Sequence, residues 1–179
     1  YHMNENEMYK TDEFLYMEWL RPEVIVWHVV AENLIRNALQ EMEKTMEIAC
    51  GNGFFTFMCL GGRFKKDFDH YYSVNTTDYR NNEDLYDSKP INNISRFIES
   101  KTKTRMVRLI DHKQTLLDQA SQLGFSDDQV CMDGNLLLDF KDVNSIYCNS
   151  IYWLRNPESI LKSWAESLSP GGRILLVYH

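Results

Sequence analysis

The sequence has no excess of positive charge: 19 Lys and Arg stand against 26 Asp and Glu, a formal net charge of -7 at pH 7. Phosphate-backbone binding rests on Lys and Arg displacing counterions, so nucleic acid is not the expected partner. Long hydrophobic runs are also absent. The longest, such as RILLVY near the C-terminus, fall far short of the roughly 20 residues that a membrane-spanning helix requires. The opening YHMNENEMYKTDEF does not have the basic-then-apolar pattern of a secretion signal. These absences predict a soluble, cytoplasmic protein with no membrane partner. Cysteine is sparse and scattered: Cys50, Cys59, Cys131 and Cys148 form no CxxC pair and have no nearby His at ligand spacing. Reduced, mostly buried thiols are expected, with neither a disulfide framework nor a metal site. There is no internal repeat and no low-complexity segment.

What is present is enough apolar residue for one core. With 179 residues and 44% hydrophobic content, the chain suits a single domain spanning 1–179. PEVIVWHVVAENLIRNALQ (Pro22 to Gln40) reads as a helix, with proline suited to its first turn and Val26, Val29, Val30, Asn33, Leu34 and Asn37 near one another at helical spacing. KTMEIAC (Lys44 to Cys50) reads as a short buried strand, and FFTFMCL as a helix stopping at Gly61 and Gly62. From about 63 to 103 no period is sustained in a stretch rich in Asn, Asp and Tyr, which reads as an irregular insertion. Order returns with RMVRLIDH as a second strand and KQTLLDQASQLGF as a helix whose Leu116, Leu117, Ala120 and Leu123 share one face. DQVCMDGN, VNSIYCNSIYW and GGRILLVYH read as further strands, with PESILKSWAESL a helix that starts at Pro157. Strands alternating with helices predict a parallel sheet covered on both faces.

In such a sheet the ligand crevice lies beyond the carboxyl ends of the strands, at the point where the strand order reverses. MEIACGNGFFTF places Gly51 and Gly53 there, directly after the first strand. Without Cβ atoms they permit both a sharp turn and close approach of a ligand to backbone. Three acids share that edge: Glu47 in the first strand, Asp111 ending the second and Asp133 ending the third. Asp111 could cap the following helix, and Asp133 beside Gly134 could be a turn residue. Taken together, the acids suit a ligand that carries an amine, ribose hydroxyls and a base, all of which donate to carboxylates. They oppose a diphosphate, which they would repel.

MEIACGNGF, LIDHKQTLLDQASQLGF, CMDGNLLLDF and SIYCNSIYWLRNPESILKSWAESLSPGGRILL resemble, in that order, the successive motifs of class I S-adenosylmethionine-dependent methyltransferases of the small-molecule branch. The likeness runs roughly from Lys44 to Val177, and LSPGGRILL is its most specific segment. It implies an α/β, Rossmann-like, doubly wound and mostly parallel sheet with strand order 3-2-1-4-5. It also implies S-adenosylmethionine as cofactor. Glu47, Cys50, Gly51 and Gly53 would contact its methionine part, with Ala49 standing where the family usually has the first glycine. Asp111 would hold the ribose hydroxyls, His112 would flank the adenine, Asp133 with Gly134 would meet the adenine edge, and Asn149 would lie beside the transferable methyl group. The family's sheet usually continues past its fifth strand with a helix and an antiparallel pair. This sequence ends at His179, so the final antiparallel strands are expected to be missing. The bare fifth strand makes a homo-oligomer one expectation.

The expected activity is methyl transfer to a small-molecule acceptor, with a general base needed only where the nucleophile must lose a proton. His28, His70, His112 and Tyr152 are candidate bases, and none is singled out. Tyr152 and Trp153 could line an acceptor pocket or pack in a core; Tyr16 and Trp19, within an N-terminal helical lid at 12–40, could close over the cofactor or act as core staples. A cofactor-binding module without turnover is the main alternative. A nucleotide-dependent oxidoreductase ranks last, because GNGFFT has Thr56 where GxGxxG needs its third glycine.

Overall fold

The structure is a computed structural model that describes residues 12–19, 21–71, 93–136 and 142–177. Residues 12–17 form a short helix, α1. Pro22 starts α2 (Pro22–Gln40), where its fixed φ suits the first turn and its missing N–H is no loss. Then come β1 (Thr45–Ile48), α3 (Phe54–Cys59), β2 (Arg63–Phe64), β3 (Ile98–Ser100), β4 (Met106–Asp111), α4 (Gln114–Leu123), β5 (Ser126–Cys131), β6 (Ser145–Cys148), α5 (Pro157–Ser167) and β7 (Arg173–Leu176). β2 and β3 pair antiparallel as a ribbon of their own. The irregular insertion expected at 63–103 therefore has ordered ends, while its residues 72–92 lie outside the described residues.

The larger sheet has the order β5-β4-β1-β6-β7, every pair parallel. Counting its strands along the chain, this is the expected 3-2-1-4-5 order of a doubly wound α/β fold. Alternation along the central strands divides the core in two. Met46, Ile48, Ile110, Ile146 and Cys148 join Ile160 and Trp164 of α5 on one face. Leu109 and Tyr147 join Ile35, Phe57 and Leu117 of α2, α3 and α4 on the other. Glu47 pairs in register with Leu109 and Tyr147, so its carboxyl points into that second, helix-covered face.

Two expectations about helix faces need correction. α2 does not bury Val26, Val30 and Leu34, which are exposed; it buries Ile25, His28, Ala31, Glu32, Ile35 and Leu39. The buried stripe contains two polar residues, Glu32 being paired with Arg36 one turn on, so counting apolar residues rotates the helix away from its true contact. Tyr16 and Trp19 are not core staples either, since both are at least half exposed. Of the cysteines, Cys50, Cys59 and Cys148 are buried and Cys131 is exposed, and none is in a disulfide. No helix among the described residues is long and apolar enough to cross a membrane.

Candidate functional site

The turn after β1 is held from three directions. Cys50 N–H donates to the Ile110 carbonyl at 3.1 Å, Gly53 N–H to the Cys50 carbonyl at 3.1 Å, and Gly51 N–H to Asp111 Oδ2 at 2.8 Å. Three residues in this turn have positive φ: Ala49 at 57°, Gly51 at 57° and Gly53 at 71°. The two glycines take such angles without strain, whereas Ala49 brings a Cβ into the left-handed region at a cost of about 1–2 kcal/mol. A Cβ at Gly53 would meet the Phe125 ring at 3.0 Å and Ala120 at 3.2 Å. Gly53 is thus a close-packing residue between α3 and α4 as well as a turn residue. The helix that follows has only six residues, and Asn52 Oδ1 accepts the Phe54 N–H at 3.1 Å.

Asp111 ends β4 only 5% exposed. Besides holding Gly51, it accepts the Lys113 N–H on Oδ1 at 2.9 Å, closing an Asx turn ahead of α4; His112 Nδ1 lies 3.4 Å from the same oxygen. Each carboxylate oxygen keeps a second lone pair for a ligand. Asp133 lies two residues beyond the end of β5, exposed, and its Oδ1 accepts both N–H groups of Asn135 at 2.9 and 2.7 Å. Those bonds hold the Asp133 carboxyl below its ordinary range. Asn135 Oδ1 in turn accepts the Arg155 N–H at 2.8 Å, tying the loop after β5 to the loop after β6.

Between these loops lies a cavity of about 650 Å³, lined by Ala49, Asp111, His112, Asp133 and Gly134 together with Lys113, Tyr152, Trp153 and Arg155. A Cβ on Gly134 would meet Ile48 Cγ2 at 3.1 Å and Leu154 at 3.4 Å, so its bare backbone keeps that wall open. A second cavity, of about 180 Å³, adjoins the first at Ala49, Ser150 and Tyr152. Glu47, Cys50, Thr56 and Asn149 line it from the sheet side, with His28, Glu18, His70 and Tyr71 among the residues opposite. Gly51 and Gly53 line neither cavity.

No protein-family profile matches the chain, and no curated protein does. Among solved structures it is similar to a SAM-dependent methyltransferase from Thiobacillus denitrificans, determined in complex with S-adenosyl-L-homocysteine. Identity is 16% and the TM-score is 0.42, over 81% of this chain and 46% of that one. This chain therefore spans less than half the length of that protein.

The electrostatics of the smaller cavity centre on Glu47. Its carboxyl is 2% exposed; Thr56 Oγ1 donates to Oε1 at 2.7 Å, and Oε2 has no partner among the described residues. Burial, with the nearby Asp111 charge adding, outweighs the Thr56 hydrogen bond and pushes Glu47 up to about 8. Asn149 Oδ1, at the end of β6, is likewise buried without a partner. Burial also raises the Cys50 thiol well above its ordinary value, leaving it a neutral lining group whose Sγ rests 3.4 Å from the Gly51 carbonyl. Glu47 Oε2 and Asn149 Oδ1, unpartnered among the described residues and on the lining of one cavity, suit a polar ligand group that hydrogen-bonds to both.

Of the residues expected at the site, the fold brings Ala49, Asp111, His112, Asp133 and Gly134 to one cavity and Glu47, Ala49, Cys50 and Asn149 to its neighbour. Sequence reasoning did not identify Thr56, Glu18, Tyr71, Lys113, Asn135 or Arg155. Thr56 was legible: it falls one helical turn after the glycine turn, on the side facing β1. Glu18 and Tyr71 reach the cavity from distant segments and leave no local signature.

Proposed function

We propose that the chain is a class I S-adenosylmethionine-dependent methyltransferase acting on a small-molecule acceptor. The observation that carries this reading is the pair of adjoining cavities at the switch point of the sheet, one sized for a nucleoside and edged by acids, the other lined by two buried oxygens without partners. Crevices at the carboxyl ends of a doubly wound sheet, on either side of the reversal in strand order, are where such folds bind ligands.

The residues present fit the cofactor. Asp111 would accept from ribose hydroxyls while continuing to hold Gly51. His112, Asp133 and Gly134 would bound the adenine, and Tyr152 and Trp153 offer aromatic surface beside it. Asn149 and Glu47, the latter ionised by the arriving positive charge, would take the amine of the methionine end and so satisfy the oxygens left without partners. When bound, S-adenosylmethionine supplies a methyl group on a sulfonium. The protein's part is to orient both reactants where the cavities meet and to exclude water. The α1–α2 connection and α2, which contribute Glu18 and His28 to the smaller cavity, would form the lid over it.

The test is calorimetric titration with S-adenosylmethionine and S-adenosylhomocysteine. The wild-type protein is expected to bind both saturably. Asp111→Asn keeps an oxygen for Gly51 but loses the charge, and is expected to weaken binding about 10-fold or more, the scale of hydrogen bonds to a charged group. A folded wild-type protein that binds neither compound would refute the reading.

A further inference from the structure

His70 stands at the smaller cavity with Nδ1 facing the Glu18 carboxyl and Nε2 facing Asn52. It lies six residues after β2, in a turn fastened to the α1–α2 connection. Asp69 Oδ1 accepts both the Trp19 indole N–H at 2.9 Å and the Tyr71 N–H at 2.8 Å, while Tyr71 Oη donates to Glu18 Oε2 at 2.8 Å. The other oxygen of Glu18, Oε1, faces His70 Nδ1 at 3.6 Å. The Phe54 ring packs edge-on against the imidazole, with centroids 5.0 Å apart. The ring is therefore oriented by contacts converging from the α1–α2 connection, α3 and its own turn.

The contacts on either side of the ring assign the tautomer. Glu18 is 6% exposed; burial would raise its carboxyl, but the neighbouring His70 and His28 imidazoles and the Tyr71 hydroxyl favour its charged form and hold it below its ordinary value. Asn52 Oδ1 already accepts the Phe54 N–H, so Asn52 Nδ2 meets the ring as a donor, and the Nδ1 that faces Glu18 carries the proton. Nε2 is left as an acceptor, and Asn52 Nδ2 contacts it at 3.5 Å, the outer limit of a hydrogen bond. Asn52, His70 and Tyr71 all line the smaller cavity, together with Trp27, Phe55 and Tyr152. A weak contact of that length is readily replaced by a stronger donor entering the cavity.

We propose that the smaller cavity admits a compact hydroxyl-bearing acceptor, an alcohol or phenol held among these aromatic rings, and that His70, oriented by Glu18, is the general base that takes its proton. In that step the acceptor O–H bond breaks, a new N–H bond forms at His70 Nε2, and the electron pair stays on the oxygen that attacks. The resulting imidazolium is paired by Glu18, and the proton leaves later to solvent. A hydroxyl needs such a base because it is a poor nucleophile while it keeps its proton. His28, the other imidazole at the cavity, is stacked face to face on Phe55 with centroids 4.1 Å apart.

This inference rests on the methyltransferase reading, and the experiment separates the two. Long-range proton–nitrogen NMR of the wild-type protein near neutral pH is expected to show His70 protonated on Nδ1 and bare on Nε2; the opposite tautomer would overturn the proposal. Phenol is then titrated into protein saturated with S-adenosylhomocysteine. The His70 Nε2 resonance is expected to move saturably, and Glu18→Gln, which keeps an acceptor for Tyr71, is expected to weaken phenol binding about fivefold or more when measured at an S-adenosylhomocysteine concentration that saturates the variant. If S-adenosylhomocysteine binds and phenol leaves His70 unmoved, the proposal fails and the cofactor reading stands. If S-adenosylhomocysteine itself does not bind the folded protein, both fail.

Discussion

Glu47 concentrates the chemistry of the site in one carboxyl. Its folded value of about 8 lies above the ordinary 4.5, so between those limits the folded protein holds a proton that the unfolded chain has released. The associated stability is fully present below the unfolded value, declines as pH rises, and is lost above about 8. Converted at 1.36 kcal/mol per unit, the swing has an upper scale of about 5 kcal/mol. Urea unfolding measured from mildly acidic to mildly alkaline pH is expected to show that fall in wild type and a flatter profile in Glu47→Gln, which retains the Thr56 hydrogen bond. An identical slope in both proteins would show that Glu47 does not titrate as its burial requires. The same carboxyl was legible in the sequence as an acid inside an apolar strand. Its neutral resting state was not, because that depends on how completely α3 and the Thr56 hydroxyl cover it.

At the scale of elements, local pattern located most of the structure but not always its orientation. α4 was fully legible: Leu116, Leu117, Ala120 and Leu123 are all buried, and Gly124 ends the helix in a left-handed conformation. α2 was legible as a helix and misleading as a face, since His28 and Glu32 occupy buried positions while Val26, Val30 and Leu34 face outward. Substitution distinguishes the two faces. Ile35→Ala is expected to cost about 2–5 kcal/mol through the cavity it leaves, whereas Leu34→Lys is expected to stay within about 0.5 kcal/mol. Denaturant midpoints of the two variants check this, and comparable losses would restore the face that the apolar count favoured. The β2–β3 ribbon was invisible in sequence because its strands are two and three residues long and pair across a long separation, with no repeating pattern to announce them.

For the molecule as a whole, the two cavities join elements from nearly the full length of the described chain, from Glu18 to Arg155. A ligand that spans them and binds only the folded state stabilises everything it touches. S-adenosylhomocysteine at about 100 times its dissociation constant is expected to add about 2.7 kcal/mol of stability. Thermal unfolding should then show a midpoint that climbs with ligand concentration, and an unmoved midpoint at saturating ligand would mean that the cavities do not hold it.

The sequence by itself determined the alternation of strands and helices, the glycine turn after β1 and the placing of Glu47 and Asp111 on successive strands. Each of these is written in local periodicity or in residues with special backbone freedom, which act over a few neighbours. Asp133 was legible as an acid near a strand end, though its carboxyl is committed to Asn135 in a turn. Only the tertiary structure decided that Gly51 is held by Asp111 across the turn, that Glu47 is buried with one oxygen unpartnered, and that Glu18 meets His70. Those facts depend on which distant segments share a sheet edge and how much water they exclude. Burial and pairing of charge are properties of the assembled fold, and no short stretch of sequence encodes them.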